Sequence, residues 1–143
     1  MLEIPVLGRE EDAADQFSAY IMLRLSKPEA RRMILGSAYH RAAQTSVDAA
    51  PSRDAFSDEH SLPAQRAFNV LCIAYGADKE LFADIVEKNY LPKGRAENCG
   101  IEYDDLTFAM TKLIGPHIDK AAARKFHEVW TRTVSARRER LSR

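Results

Sequence analysis

Apolar residues in this chain recur three or four positions apart in segment after segment, and nowhere alternate with polar ones long enough to form a strand. That period restricts the fold to helices. Residues 9–26 place Ala14, Phe17, Ile21 and Leu25 on one stripe. A second helix opens on "SKPE", with Ser26 as N-cap, Pro28 in the first turn and Glu29 completing a capping box. It runs to about Gln44 on Ala30, Met33, Ile34, Ala38 and Ala42. "TSVDAAPSRDAFSDEHS" has no clean period and reads as a long loop. A third helix, 62–75, turns Ala64, Phe68, Leu71, Cys72 and Tyr75 inward and ends at a Gly76 cap. Asp78 caps a short helix, "KELFADIVEK", that buries Leu81, Phe82, Ile85 and Val86. "NYLPKGRAENCG" is a second loop with room for one helical turn. A fifth helix, 101–114, buries Leu106, Met110, Leu113 and Ile114 and stops at "GPH". A last one, 117–140, offers Ala122, Phe126, Trp130 and Val134. The expected fold is all-α: one helical domain of five to six helices over residues 1–143, without internal repeats.

With 143 residues the chain is long enough for one domain with a real core. Its 21 basic and 21 acidic residues cancel, which argues against a nucleic-acid partner, because phosphate neutralisation needs a basic surplus. The tail "ARRERLSR" is basic but short, and reads as a solvated helix end. No apolar run approaches a membrane span, and no signal peptide opens the chain. Cys72 and Cys99 are compatible with a disulfide or with two buried thiols.

Chemistry is concentrated in "GREEDAAD". Glu11 and Asp15 stand four residues apart and share one helical face. Acids in a first turn complement the helix macrodipole, and spacing alone favours that plain role. In "DEHS", His60 sits beside Asp58 and Glu59 just before the third helix. It serves either as an oxyanion donor or proton shuttle, or as a pin holding the loop to the helix start. Arg66 either pairs with an acid of "REED" or binds a substrate carboxylate.

Three strings, "IPVLGREEDAADQ", "DEHSLPAQRAFNVLCIAYGADKELF" and "LPKGRAENCGIEYDDL", carry a resemblance in order across residues 4–106. They are similar to a bacterial family classed from sequence as metallopeptidases of the zincin kind, long a domain of unknown function. The helix from about residue 117 falls outside the resemblance. In that family a His-Glu-x-x-His helix, holding zinc through two His, precedes the "PVLG" segment. The resemblance implies Glu11 as a third zinc ligand. It also implies Asp15 as the acceptor that orients a ligand His through its other ring nitrogen. Glu10 and Asp12 are then helix-start charges or outer groups. The resemblance also implies that Cys72 and Cys99 pair, as in exported proteins, and that the full-length parent works in the periplasm or outside the cell.

The sequence departs from the family in one decisive respect: it contains no His-Glu-x-x-His. Its histidines are His40, His60, His117 and His127, and the nearest imitation, "HEVWT", has Thr131 where the second His belongs. Met1 stands where the family has an internal residue, so the expectation is a C-terminal portion, inactive alone. Zinc would be weakly held or absent. The expected partner is a peptide or protein substrate, and apolar surface bared by the missing helix leads to self-association. The alternative is a non-catalytic helical binding or structural module derived from a metallopeptidase.

Overall fold

The structure is a computed structural model that describes Val6, residues 8–45 and 50–125, and Glu128, Val129 and Arg132. Among the described residues there is no strand, and the fold is all-α. Helices α1 (Glu10–Met22), α2 (Lys27–Ala42), α4 (Pro63–Ala77) and α7 (Cys99–Leu113) make the body. Three short helices lie between them: α3 (Arg53–Ser57), α5 (Ala83–Glu87) and α6 (Lys93–Ala96). A 3-10 turn, Gly115–His117, follows α7 at the expected stop. Residues 120–125 are helical, capped by Asp119, whose carboxylate accepts the Ala121 and Ala122 N–H groups at 2.8 and 3.0 Å. The expectations for Phe126, His127, Trp130, Thr131, Val134 and the basic tail lie outside the described residues.

Helix α4 is the axle. Its run Val70, Leu71, Cys72, Ile73 and Ala74 is buried on every side, as a helix apolar all round must be. It packs on α2, α7 and α1. Ile34 arrives from α2, while Phe82, Ile85 and Leu91 close the far end, all at 0% exposure. Each such side chain contributes on the order of 1.5–3 kcal/mol by leaving water. A disulfide joins Cys72 in α4 to Cys99 at the start of α7, with Cα atoms 5.0 Å apart. One turn beyond it, a Cβ on Gly76 would collide with the Cys99 carbonyl oxygen. Glycine at 76 therefore permits the close α4–α7 crossing, and the helix continues past it to Ala77 instead of ending in a glycine cap.

Other details differ from the sequence reading. The long loop contains α3, whose start is capped by Ser52 Oγ accepting the Ala55 N–H. Ser26 Oγ donates to the Glu29 carboxylate at 2.8 Å instead of capping a backbone N–H. Helix α1 is the largest correction. Its buried residues are Asp15, Ala19 and Tyr20, whereas Phe17 and Ile21 are 41% and 45% exposed. Turning the predicted stripe inward would have expelled Asp15 from its cationic partners. Phe68 of α4, Met33 of α2 and Leu113 of α7 also face outward more than their spacing suggested.

Candidate functional site

The site is built where the start of α1 meets the loop before α4. Gly8, at φ +108°, supplies a left-handed turn that only glycine adopts freely. Arg9 follows in extended conformation as the N-cap, and three acids occupy the first helical turn. Charge complementarity with the helix dipole explains their tolerance there. Their partners show what else they do.

Asp15 lies at 5% exposure between α2 and α4. Arg66 donates to it through Nε at 2.7 Å and Nη2 at 3.1 Å. Arg41 donates through Nε at 2.9 Å and also through Nη2. Burial pushes this carboxyl up, but the hydrogen bonds and charges of Arg66 and Arg41 outweigh it and hold the pKa below the ordinary range. All four acceptor directions are engaged. Arg66 thus pairs with an acid of "GREEDAAD", though not one within "REED".

Glu11 and Asp12 converge on Ser61. The Ser61 N–H donates to Glu11 Oε1 at 2.6 Å, and the Ser61 hydroxyl donates to Asp12 Oδ2. The Ser61 hydrogen bond is the main reason the Glu11 pKa sits below the ordinary carboxylate value, with the His60 and Arg66 charges adding to it. The Glu11 carboxylate is also held down by its own backbone N–H, and Asp12 Oδ1 is buried without a partner among the described residues. Arg9 closes the cluster, donating to Ser61 Oγ at 3.1 Å and to the Asp58 carbonyl at 3.2 Å. His60 is exposed, its Nδ1 3.0 Å from Asp58 Oδ1. That hydrogen bond, with the Glu11 charge, raises the His60 pKa. Glu11, Asp15, His60 and Arg66 are therefore neighbours in space, although His60 is 49 positions from Glu11 in sequence.

A cleft of about 540 Å³ opens beside this cluster. Arg9, Asp12 and Ser61 form one end, Gln65, Phe68 and Asn69 of α4 the floor, and Arg95 of α6 the far end. Arg95 is held by Glu102, Nη2 to Oε2 at 2.7 Å, and donates to Asn69 Oδ1 at 3.3 Å, over the buried disulfide. Sequence reasoning missed Arg41, Ser61 and Arg9 as members of the site and set Asp12 aside. Arg9 and Asp12 carried a signal in their place in the acidic string, and Ser61 in its place in "DEHS". Arg41 lies 26 residues from Asp15 on another helix and carried none.

Catalytic zinc sites use three protein ligands. Among the described residues no three His, Cys, Asp or Glu side chains converge to hold a metal ion. Asp15 is saturated by arginines, His60 leans on Asp58, and the cysteines are bonded to each other. The described residues do not make a zinc site by themselves.

The match to known families gives first a class, that of metallopeptidases. The chain belongs to the family described as "Putative metallopeptidase", whose model covers residues 1–114, through the end of α7. No curated protein and no solved structure matches it. Among the described residues no helix is long and apolar enough to cross a membrane.

Proposed function

We propose that this chain is the portion of a zinc-dependent metallopeptidase that contributes one metal ligand, Glu11. The histidine ligands would come from a His-Glu-x-x-His segment that its sequence does not contain. One observation carries the reading. Glu11 is kept ionised by backbone N–H groups, chiefly that of Ser61, and stands on a helix end fixed by the Asp15–arginine cluster. An ionised oxygen held in place is what a metal ligand must offer. His60, with its raised pKa, is proposed as the donor to a developing oxyanion or as a proton shuttle beside Glu11. Asp15 would orient a ligand histidine only if Arg41 or Arg66 released one of its hydrogen bonds, and Arg66 would bind a substrate carboxylate on the same condition. The disulfide suits an oxidising compartment, periplasmic or extracellular. Alone, the chain is expected to hydrolyse nothing. A second reading, a non-catalytic binding module, is favoured by one fact: the acceptor directions of Asp15 are already filled.

The test is to read the codons immediately upstream of Met1. An in-frame His-Glu-x-x-His supports the peptidase reading, and an in-frame stop favours the module. In a protein carrying that segment, Glu11→Ala abolishes tight zinc binding by calorimetry, whereas Glu10→Ala, at an exposed position, changes it little. Equal effects of the two would refute the ligand assignment.

A further inference from the structure

We propose that the cleft along α4 binds an extended peptide, through the side-chain amides of Gln65 and Asn69 and the ring of Phe68. The proposal deepens the peptidase reading by giving the substrate class a seat, and it rests on that reading for its biological sense. Three observations carry it. Phe68 and Asn69 lie three and four residues after Gln65 on α4 and line the cleft with it, with Ser61 of the preceding loop beside them. Phe68 is 37% exposed among those polar residues, where core packing gives it no task. Its ring offers an apolar side chain a surface between hydrogen-bonding groups, the composition of a ligand site.

The second observation concerns orientation. Arg95 donates to Asn69 Oδ1, so the Asn69 carbonyl is committed and its NH2 group is left to donate elsewhere. Gln65 is exposed one turn away, and no partner among the described residues fixes its amide. Four helical residues rise about 6 Å along the axis. Two residues of an extended chain span about 6.6–6.8 Å. The two amides therefore match alternate peptide units of a strand laid along α4.

The third observation is at the end of the cleft. Arg9 spends its hydrogen bonds on the neutral oxygens of Ser61 and Asp58, so its charge is not cancelled by a bonded carboxylate. A peptide C=O brought to this end of the cleft meets that charge. A strand held here would end against Ser61, directly next to Glu11.

The test titrates the isotope-labelled chain, disulfide intact and metal absent, with a pool of N-acetylated, C-amidated hexapeptides of randomised central residues, followed by amide correlation spectra. Saturating shifts are expected at Arg9, Gln65, Phe68 and Asn69, including the Asn69 side-chain amide. The double substitution Gln65→Ala, Asn69→Ala should weaken binding about tenfold, the loss of two ordinary hydrogen bonds. Because Asn69 also steadies Arg95, Phe68→Ala supplies an independent check at an exposed position and should weaken binding as well. Absence of shifts at millimolar peptide, shifts confined to another surface, or variants that bind as well as the parent would each overturn the proposal. The titration contains no zinc and reads no hydrolysis. Its failure leaves the role of Glu11 standing, and failure of the zinc reading leaves the cleft standing.

Discussion

A carboxylate at 5% exposure has lost most of its hydration, and Asp15 stays ionised because N–H groups of Arg41 and Arg66 replace the water. Removing its charge leaves two guanidiniums, 15% and 24% exposed, facing each other across the gap. Asp15→Asn should therefore destabilise the fold by roughly 3–5 kcal/mol, the usual cost of breaking a buried pair. Urea unfolding of the variant measures it, and a loss under 1 kcal/mol, the range of a surface pair, would contradict the assignment. The pH dependence follows from the sign of the shift. The folded pKa is depressed, so the stabilisation is full above the unfolded value near 4 and is lost as pH falls through the lower, folded value. Acid unfolding should be delayed relative to the variant and should lose its steepest part in Asp15→Asn. The spacing of Glu11 and Asp15 on one face was legible in the sequence, but the arginines that bind Asp15 were not. Cations fixed by tertiary packing leave no mark near the acid they neutralise, and Arg41 is one of three arginines on α2, with Arg31 and Arg32.

Between elements, the decisive contact is the α4–α7 crossing, fixed by the Cys72–Cys99 bond and by the lack of a side chain at Gly76. An added methyl would meet main-chain atoms of Cys99 and could not be relieved by a rotamer change. Gly76→Ala should cost at least about 1–3 kcal/mol, despite alanine's better helix propensity, because the crossing must open. Thermal melting with the disulfide intact checks this, and a stabilised variant would mean that the helices do not approach so closely. The same contact shows where helix signals mislead. Gly76 followed by Asp78 has the pattern of a C-cap, yet the glycine answers a tertiary need and the helix runs one residue on. Helices α2, α4, α6 and α7 and the stop at Gly115 were legible because each combined a clean period or a helical turn with a Pro or Gly boundary. The facing of α1 was not, since hydropathy ranks Phe17 and Ile21 as inward and cannot know that Asp15 is bound to arginines. Helix α3, five residues in a polar stretch, had no period to find.

For the whole molecule, all-α architecture followed from the absence of alternating segments, and the family match over residues 1–114 agrees with the resemblance borne by three separated strings. An apolar groove of about 450 Å³ runs between α1 and α7, lined by Ala13, Leu106, Met110 and Leu113. With the outward-facing Phe17 and Ile21 of α1, it gives the molecule an apolar flank that water covers poorly. Sedimentation velocity over a range of concentrations should show self-association, and a monomer at every concentration would contradict it. The zinc role proposed for Glu11 requires ligands beyond the described residues, which do not converge on a metal site by themselves. The direct measurement is calorimetric titration of zinc into the chain and into Glu11→Ala. Weak binding is expected, without a saturable one-to-one site at micromolar zinc, further weakened in the variant. A tight one-to-one site in the parent would show that its own residues complete the coordination and would overturn the proposed incomplete site.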